Sequence, residues 1–269
     1  MTKFIKLALL ASAMTLLSAG AQAHRTWLLP SATVLSGKDA WVTVDAAVSN
    51  DLFYFEHHPL SLDNLAVLAP DGNSVTPENI AKGKFRSSFD LKLEQQGTYK
   101  ISVLNQGVFA NYKLGGETKR WRGKPEQIES EIPAAATDLK ISEMQGRIEA
   151  FVTSGKPSDA TLKPSGVGLE LVPVTHPNNL VAGEKATFRL VLDGQPASGV
   201  AVELVPGGIR YRDKLNEMKL TTDEAGSFSV TWPGPGMYWI NAATQDDKSK
   251  IKNATRRASY SATLEVLPQ

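Results

Sequence analysis

Four histidines, His24, His57, His58 and His176, carry the most pointed chemistry in this chain. It has no cysteine, which excludes thiolate metal sites, cysteine nucleophiles and disulfides. "AQAHRTW" (21–27) sets His24 directly after Ala21-Gln22-Ala23, the small-x-small pattern at which a signal peptidase cuts. Cleavage there makes His24 the first residue, so its free amine and its imidazole can chelate one ion. An α-amino group has an ordinary pKa of about 7.7–8.0, so it loses its proton to a metal near neutral pH at little cost. A further imidazole completes a roughly planar three-nitrogen set, which suits Cu(II) or Ni(II).

"FYFEHHPL" (53–60) supplies the next two. If the strand runs to Pro59, Phe53, Phe55 and His57 share one face, and Tyr54, Glu56 and His58 share the other. On that geometry His58 with Glu56 forms the ligand-capable face. His57 is then a core histidine beside two phenylalanines. A turn ending at Leu60 would change both roles, so both stay candidates, with His58 ahead. His176 lies in "PVTHPNNL", held extended by Pro177. It is either an inter-domain ligand or a histidine bonded to a turn carbonyl. The expected metal set is therefore His24, His58, His57 and His176 around one divalent transition metal: nickel, cobalt or copper.

The segment before His24 fits a secretory signal. Lys3 and Lys6 lead an apolar run from Leu7 to Leu17, broken only by Ser12 and Thr15. That run is too short to span a bilayer comfortably, and no later stretch reaches 18 apolar residues. The expectation is a soluble chain exported to the periplasm, with no membrane span after cleavage. Removing residues 1–23 from 269 leaves 246, enough for one large or two ordinary domains. Of the 29 Lys and Arg, Lys3 and Lys6 fall in the signal, leaving 27 against 28 Asp and Glu. Such balance gives no global attraction to nucleic acid or to an anionic membrane.

The elements that must position the histidines read as strands. "WVTVDAAV", "LAVLAPDG", "FRSSFDLKL" and "GTYKISVLN" alternate apolar and polar residues, as half-buried strands do. "GLELVPV", "ATFRLVLDG", "VAVELVPG", "GSFSVTW", "MYWINAA" and "YSATLEVL" continue the pattern. Short strands separated by Gly and Pro predict an all-β chain of two tandem immunoglobulin-like sandwiches. The expected spans are 24–160 and 166–269, after a signal peptide at 1–23. "SGKPSDATLKPSG" (154–166) is the expected linker. "GTY" and "GMY" place a Tyr two residues after a Gly at a strand entry, where its hydroxyl can bond back to the preceding turn. Residues 115–154 carry little pattern and are expected to be a long irregular segment, with a helical turn or two only within 126–149.

"LDGQPASGVAVELVPGG" followed by "TTDEAGSFSV" resembles the transthyretin-like and CnaB-like sandwich modules. With "AHRTWLLP" and "LELVPVTHPNNL", the whole mature chain resembles the DUF4198 family of exported bacterial proteins. That resemblance implies periplasmic handling of nickel or cobalt in metal uptake, with a membrane metal permease or outer-membrane receptor as partner. Without a membrane span the chain cannot itself be the permease. Without a His-rich tract it is not a bulk metal store.

Three functions compete: a periplasmic metal-binding protein for uptake or delivery, a copper-dependent oxidative enzyme using an N-terminal histidine, and a non-catalytic adhesion or scaffold module. No Gly-x-Ser-x-Gly, phosphate loop, His-Glu-x-x-His or calcium loop is present, so no catalytic residues are assigned. "KRWRGK" (119–124) is a basic stretch that could face an anionic ligand, or simply solvent.

Overall fold

The computed structural model describes residues 24–269; the expected signal, 1–23, lies outside the described residues. The first half runs β1 (Arg25–Pro30), β2 (Val34–Leu35), β3 (Ala40–Ser49), β4 (His58–Pro59), β5 (Leu65–Leu68), β6 (Glu78–Lys82), β7 (Ser87–Leu93), β8 (Gly97–Leu114), β9 (Glu117–Gly123) and β10 (Thr137–Ser154). The second runs β11 (Leu169–Pro173), β12 (Lys185–Leu192), β13 (Gln195–Pro196), β14 (Ala201–Pro206), β15 (Met218–Thr221), β16 (Ser227–Thr231), β17 (Gly236–Asp246) and β18 (Ala254–Val266). The fold is all-β, as the alternation predicts.

Two apolar cores fill two sandwiches. The first gathers Leu28, Val42, Val44, Phe89, Leu91, Tyr99, Ile101 and Val152 between β1-β3-β7 and the β5-β8-β10 part of a long sheet. The second gathers Leu171, Phe188, Leu190, Val202, Leu204, Trp232, Ile240 and Tyr260 between β11-β12-β16 and the β14-β17-β18 part of the same sheet. The sheet is continuous because β10 runs parallel to β18, from Ile141 beside Ala254 to Ala150 beside Thr263. The residues expected as a linker carry the chain from one core to the other. The halves are nonetheless joined edge to edge through the backbone.

The segment 115–154 is a correction to the sequence reading. It holds β9, a 3-10 turn (Pro125–Gln127), one helical turn (Ile128–Glu131) and β10, an interior strand of the long sheet. β10 hides its alternation because Glu149 is buried at the join, bonded to Tyr260 at 2.8 Å and facing Arg147 at 3.4 Å. The two Gly-x-Tyr sites behave alike. The Tyr99 hydroxyl accepts from the Gln95 N–H at 2.8 Å, and the Tyr238 hydroxyl donates to Gly234 O at 2.8 Å.

A third, smaller core crosses the join, and it governs the position of the histidines. Trp27 and Leu28 point to opposite faces of β1, as successive strand residues must, and both are fully buried. Leu28 enters the first core. Trp27 packs with Ala47 and Leu52 from its own half and with Val205 and Trp239 from the other. Its indole N–H donates to Ser49 Oγ at 2.9 Å, and the Trp239 N–H donates across the join to Thr26 O at 2.9 Å. Trp27→Ala should lower stability by about 3–5 kcal/mol, the usual cost of emptying a buried Trp site, read as the shift in a urea unfolding curve. A loss under about 1 kcal/mol would show that this small core can collapse around the gap.

Candidate metal site at the strand ends

Strand register brings His24 and the His57–His58 pair to one end of the first sheet. β3 is flanked by β1 on one side and β4 on the other, and Thr26 and His58 both lie opposite Val48. His24 immediately precedes β1, and His57 immediately precedes β4. Between Ser49 and His58 the chain makes a turn and an irregular return rather than a strand. This corrects the alternation expected for "FYFEHHPL".

The loop is fastened at four points. Glu56 Oε1 accepts from the Asn50 and Asp51 N–H groups at 2.9 and 2.8 Å, which ties one oxygen of this carboxylate to the turn. Arg25 donates to Asn50 O at 2.7 Å. Phe53 and Phe55 pack on Trp27 at centroid distances of 5.5 and 5.4 Å. Phe53 sits at φ 62°, a left-handed conformation that bulky residues avoid, and its ring presses on Gly207. A Cβ at position 207 would lie 3.0 Å from that ring, so only glycine allows the contact without displacement.

His57 is consequently exposed, not a core histidine beside the phenylalanines. Its ring stacks on His24 with centroids 3.8 Å apart and planes 15° apart. The His58 ring lies 4.8 Å from that of His57, tilted by 45°, with Nδ1 3.0 Å from Pro59 O. Three of the four histidines thus share one exposed patch. Stacked rings hold their in-plane lone pairs nearly parallel, so one ring must turn before two can grip one ion. Among the described residues, no group of three His, Asp or Glu side chains stands ready to hold a metal.

The electrostatics of the cluster favour the neutral form of His57. Partial desolvation, then the neighbouring His24 and His58 rings, hold the His57 imidazole below its ordinary value, against a smaller opposing pull from Glu56. Neutral imidazole is the form that binds metal.

His176 is built into the join instead. Its Nδ1 accepts from the Asn178 N–H at 3.1 Å, so Nε2 carries the proton, 3.0 Å from Thr98 Oγ1 and 3.3 Å from Ser158 O. Burial holds it below its ordinary pKa. Both of its ring nitrogens are thus bonded to protein, away from the other three histidines.

Sequence reading missed a cleft beside the cluster. About 480 Å³ opens at His58 and is lined by Ser61, Asp63, Asn64, Asn105, Gln106 and Arg122, among others. Of its lining, His58 and Arg122, the latter in "KRWRGK", lie in stretches conspicuous in the sequence. The rest come from a loop and from mid-β8, and no local motif links them.

Fold and site together define a two-core β-sandwich protein with an exposed histidine cluster at the end of one sheet. The family model DUF4198, a domain of unknown function, matches residues 21–246, and the chain belongs to this family. Comparison with curated proteins returns no match. Among solved structures the chain is similar to Escherichia coli alpha-2-macroglobulin activated by porcine elastase, at 15% identity and TM-score 0.25, covering 92% of this chain and 20% of that one. It is similar to the D0-D1 domain of intimin at 15% identity and TM-score 0.23, covering 91% and 100%. It is also similar to chicken CNTN1 FN1-FN3 domains at 10% identity and TM-score 0.24, covering 89% and 97%. At this level of similarity nothing about activity passes from them to this chain.

His57 should titrate below about 6.5, the free imidazole value, in an NMR pH series. Its midpoint should rise in both His24→Gln and His58→Gln, each of which removes a neighbouring ring. A midpoint unmoved by either change would show that the three rings do not interact in solution.

Proposed function

We propose that this chain is an exported, periplasmic protein that binds a divalent transition metal through its terminal histidine cluster and assists the metal's uptake or delivery. Nickel and cobalt are the favoured cargo, with copper the alternative. A membrane metal permease or an outer-membrane receptor is the partner such a role requires. The observation that carries this reading is the stack of His24 on His57, with His58 alongside. Residues far apart in sequence meet there, on a loop fastened by a dedicated small core.

The donor set fits such an ion. Cleavage after Ala23 adds an amine next to the His24 ring, giving up to four nitrogens, and nitrogen-rich tetragonal sites suit Ni(II) and Cu(II). The cluster is exposed and lacks a committed carboxylate, which favours exchange over permanent storage. Its rings contact one another and not a buried core, so a modest side-chain rotation can open them to an ion.

Calorimetry with nickel on protein beginning at His24 tests this. His24→Ala and His57→Ala should each weaken binding by about 10-fold or more, since even loss of a group supporting a ligand costs 10- to 100-fold. Leaving a methionine ahead of His24 should weaken it comparably, because the amine then moves away from the ring. Equal nickel affinity in wild type, His24→Ala and the Met-extended form would contradict the proposal.

A further inference from the structure

We infer that the metal is taken together with a small carboxylate-bearing organic ligand, which occupies the cleft beside His58 and meets Arg122. This rests on the metal reading above and specifies what fills the rest of the ion's coordination shell. Three imidazoles and the His24 amine supply at most four nitrogens, so a divalent ion that takes a fuller shell keeps positions open to ligands from outside the protein.

The cleft suits that co-ligand in size and polarity. Its 480 Å³ falls within the range of small-molecule sites, whereas one water occupies only about 30 Å³. His58 forms part of its lining, so an ion on the histidine cluster lies at its mouth. Its one acidic side chain, Asp63, is engaged with Ser61 Oγ at 2.7 Å. Asn64 donates to Leu104 O at 3.1 Å, which fixes the floor, while Asn105 and Gln106 present exposed amides.

Arg122 supplies the charge. It stands on β9 opposite Phe109 of β8, its guanidinium 5.1 Å from that ring's centroid. On the same hairpin Lys113 is paired with Asp138 and Lys119 with Glu117. Among the described residues Arg122 has no acidic partner, so its fork of donors is free to take a carboxylate in two parallel bonds. A hydroxy- or amino-carboxylate can chelate the ion at one end and reach this arginine at the other. The basic stretch "KRWRGK" then has a role that surface solvation does not give it.

Equilibrium dialysis of the protein beginning at His24, with labelled citrate as probe, tests this with and without nickel, beside calorimetry with nickel alone. Citrate should be retained with nickel and at least about 10-fold less without it. Arg122→Gln, an exposed change, should weaken citrate retention about 10-fold or more, as loss of a charge-assisted bond predicts. Its affinity for nickel alone should stay within about two-fold. The inference is overturned if nickel binds but citrate merely strips it, if Arg122→Gln retains citrate like wild type, or if citrate binds equally without nickel. Absence of nickel binding by the wild-type protein would instead remove the metal reading, and this inference with it.

Discussion

The burial of Trp27 is the contact on which the rest of this site depends. One indole closes β1 against β3, caps Ser49, and gives Phe53 and Phe55 a surface to pack on. Those phenylalanines fix a loop that has no regular secondary structure of its own. His57 stands at the end of that loop and His24 three residues before the tryptophan. The small core around Trp27 draws Val205 and Trp239 from the second half. The histidine patch therefore belongs to neither sandwich alone, and its geometry requires both to be docked.

That docking is strong for physical reasons visible along the join. Parallel pairing of β10 with β18 supplies a ladder of backbone hydrogen bonds, and the Trp239 N–H reaches Thr26 O across it. Most buried charged and polar groups along the join are paired, with Gln145 Oε1 on β10 and Thr263 Oγ1 on β18 the exceptions among the described residues. Glu149 meets Tyr260 and Arg147, and His176 spends both nitrogens on Asn178, Thr98 and Ser158. Unpaired, each would cost roughly 1–3 kcal/mol or more.

Much of the architecture was legible in the sequence because half-buried strands must alternate. Val42, Val44, Phe89, Leu91, Val202 and Leu204 all lie in the cores their spacing implies. The Gly-x-Tyr pairs announced two similar corners. β10 was not legible, because a strand in the interior of a joined sheet carries Glu149 and Arg147 inward to meet partners from another part of the chain. The His57 loop was missed for the opposite reason. Its residues alternate like a strand, but Glu56 caps the turn backbone and Phe53 adopts a left-handed conformation, and neither leaves a periodic trace. His24 was conspicuous from its neighbours alone. Its meeting with His57 depends on strand register across β3, which no single stretch encodes.

X-ray absorption on the nickel-loaded protein beginning at His24 bears most directly on the claim that the three clustered histidines share one ion. The account predicts a nitrogen-rich shell with imidazole scattering that falls by about one ring in each of His24→Ala, His57→Ala and His58→Ala, and is unchanged in His176→Gln. A shell of oxygen alone, or imidazole scattering that survives all three substitutions, would contradict it.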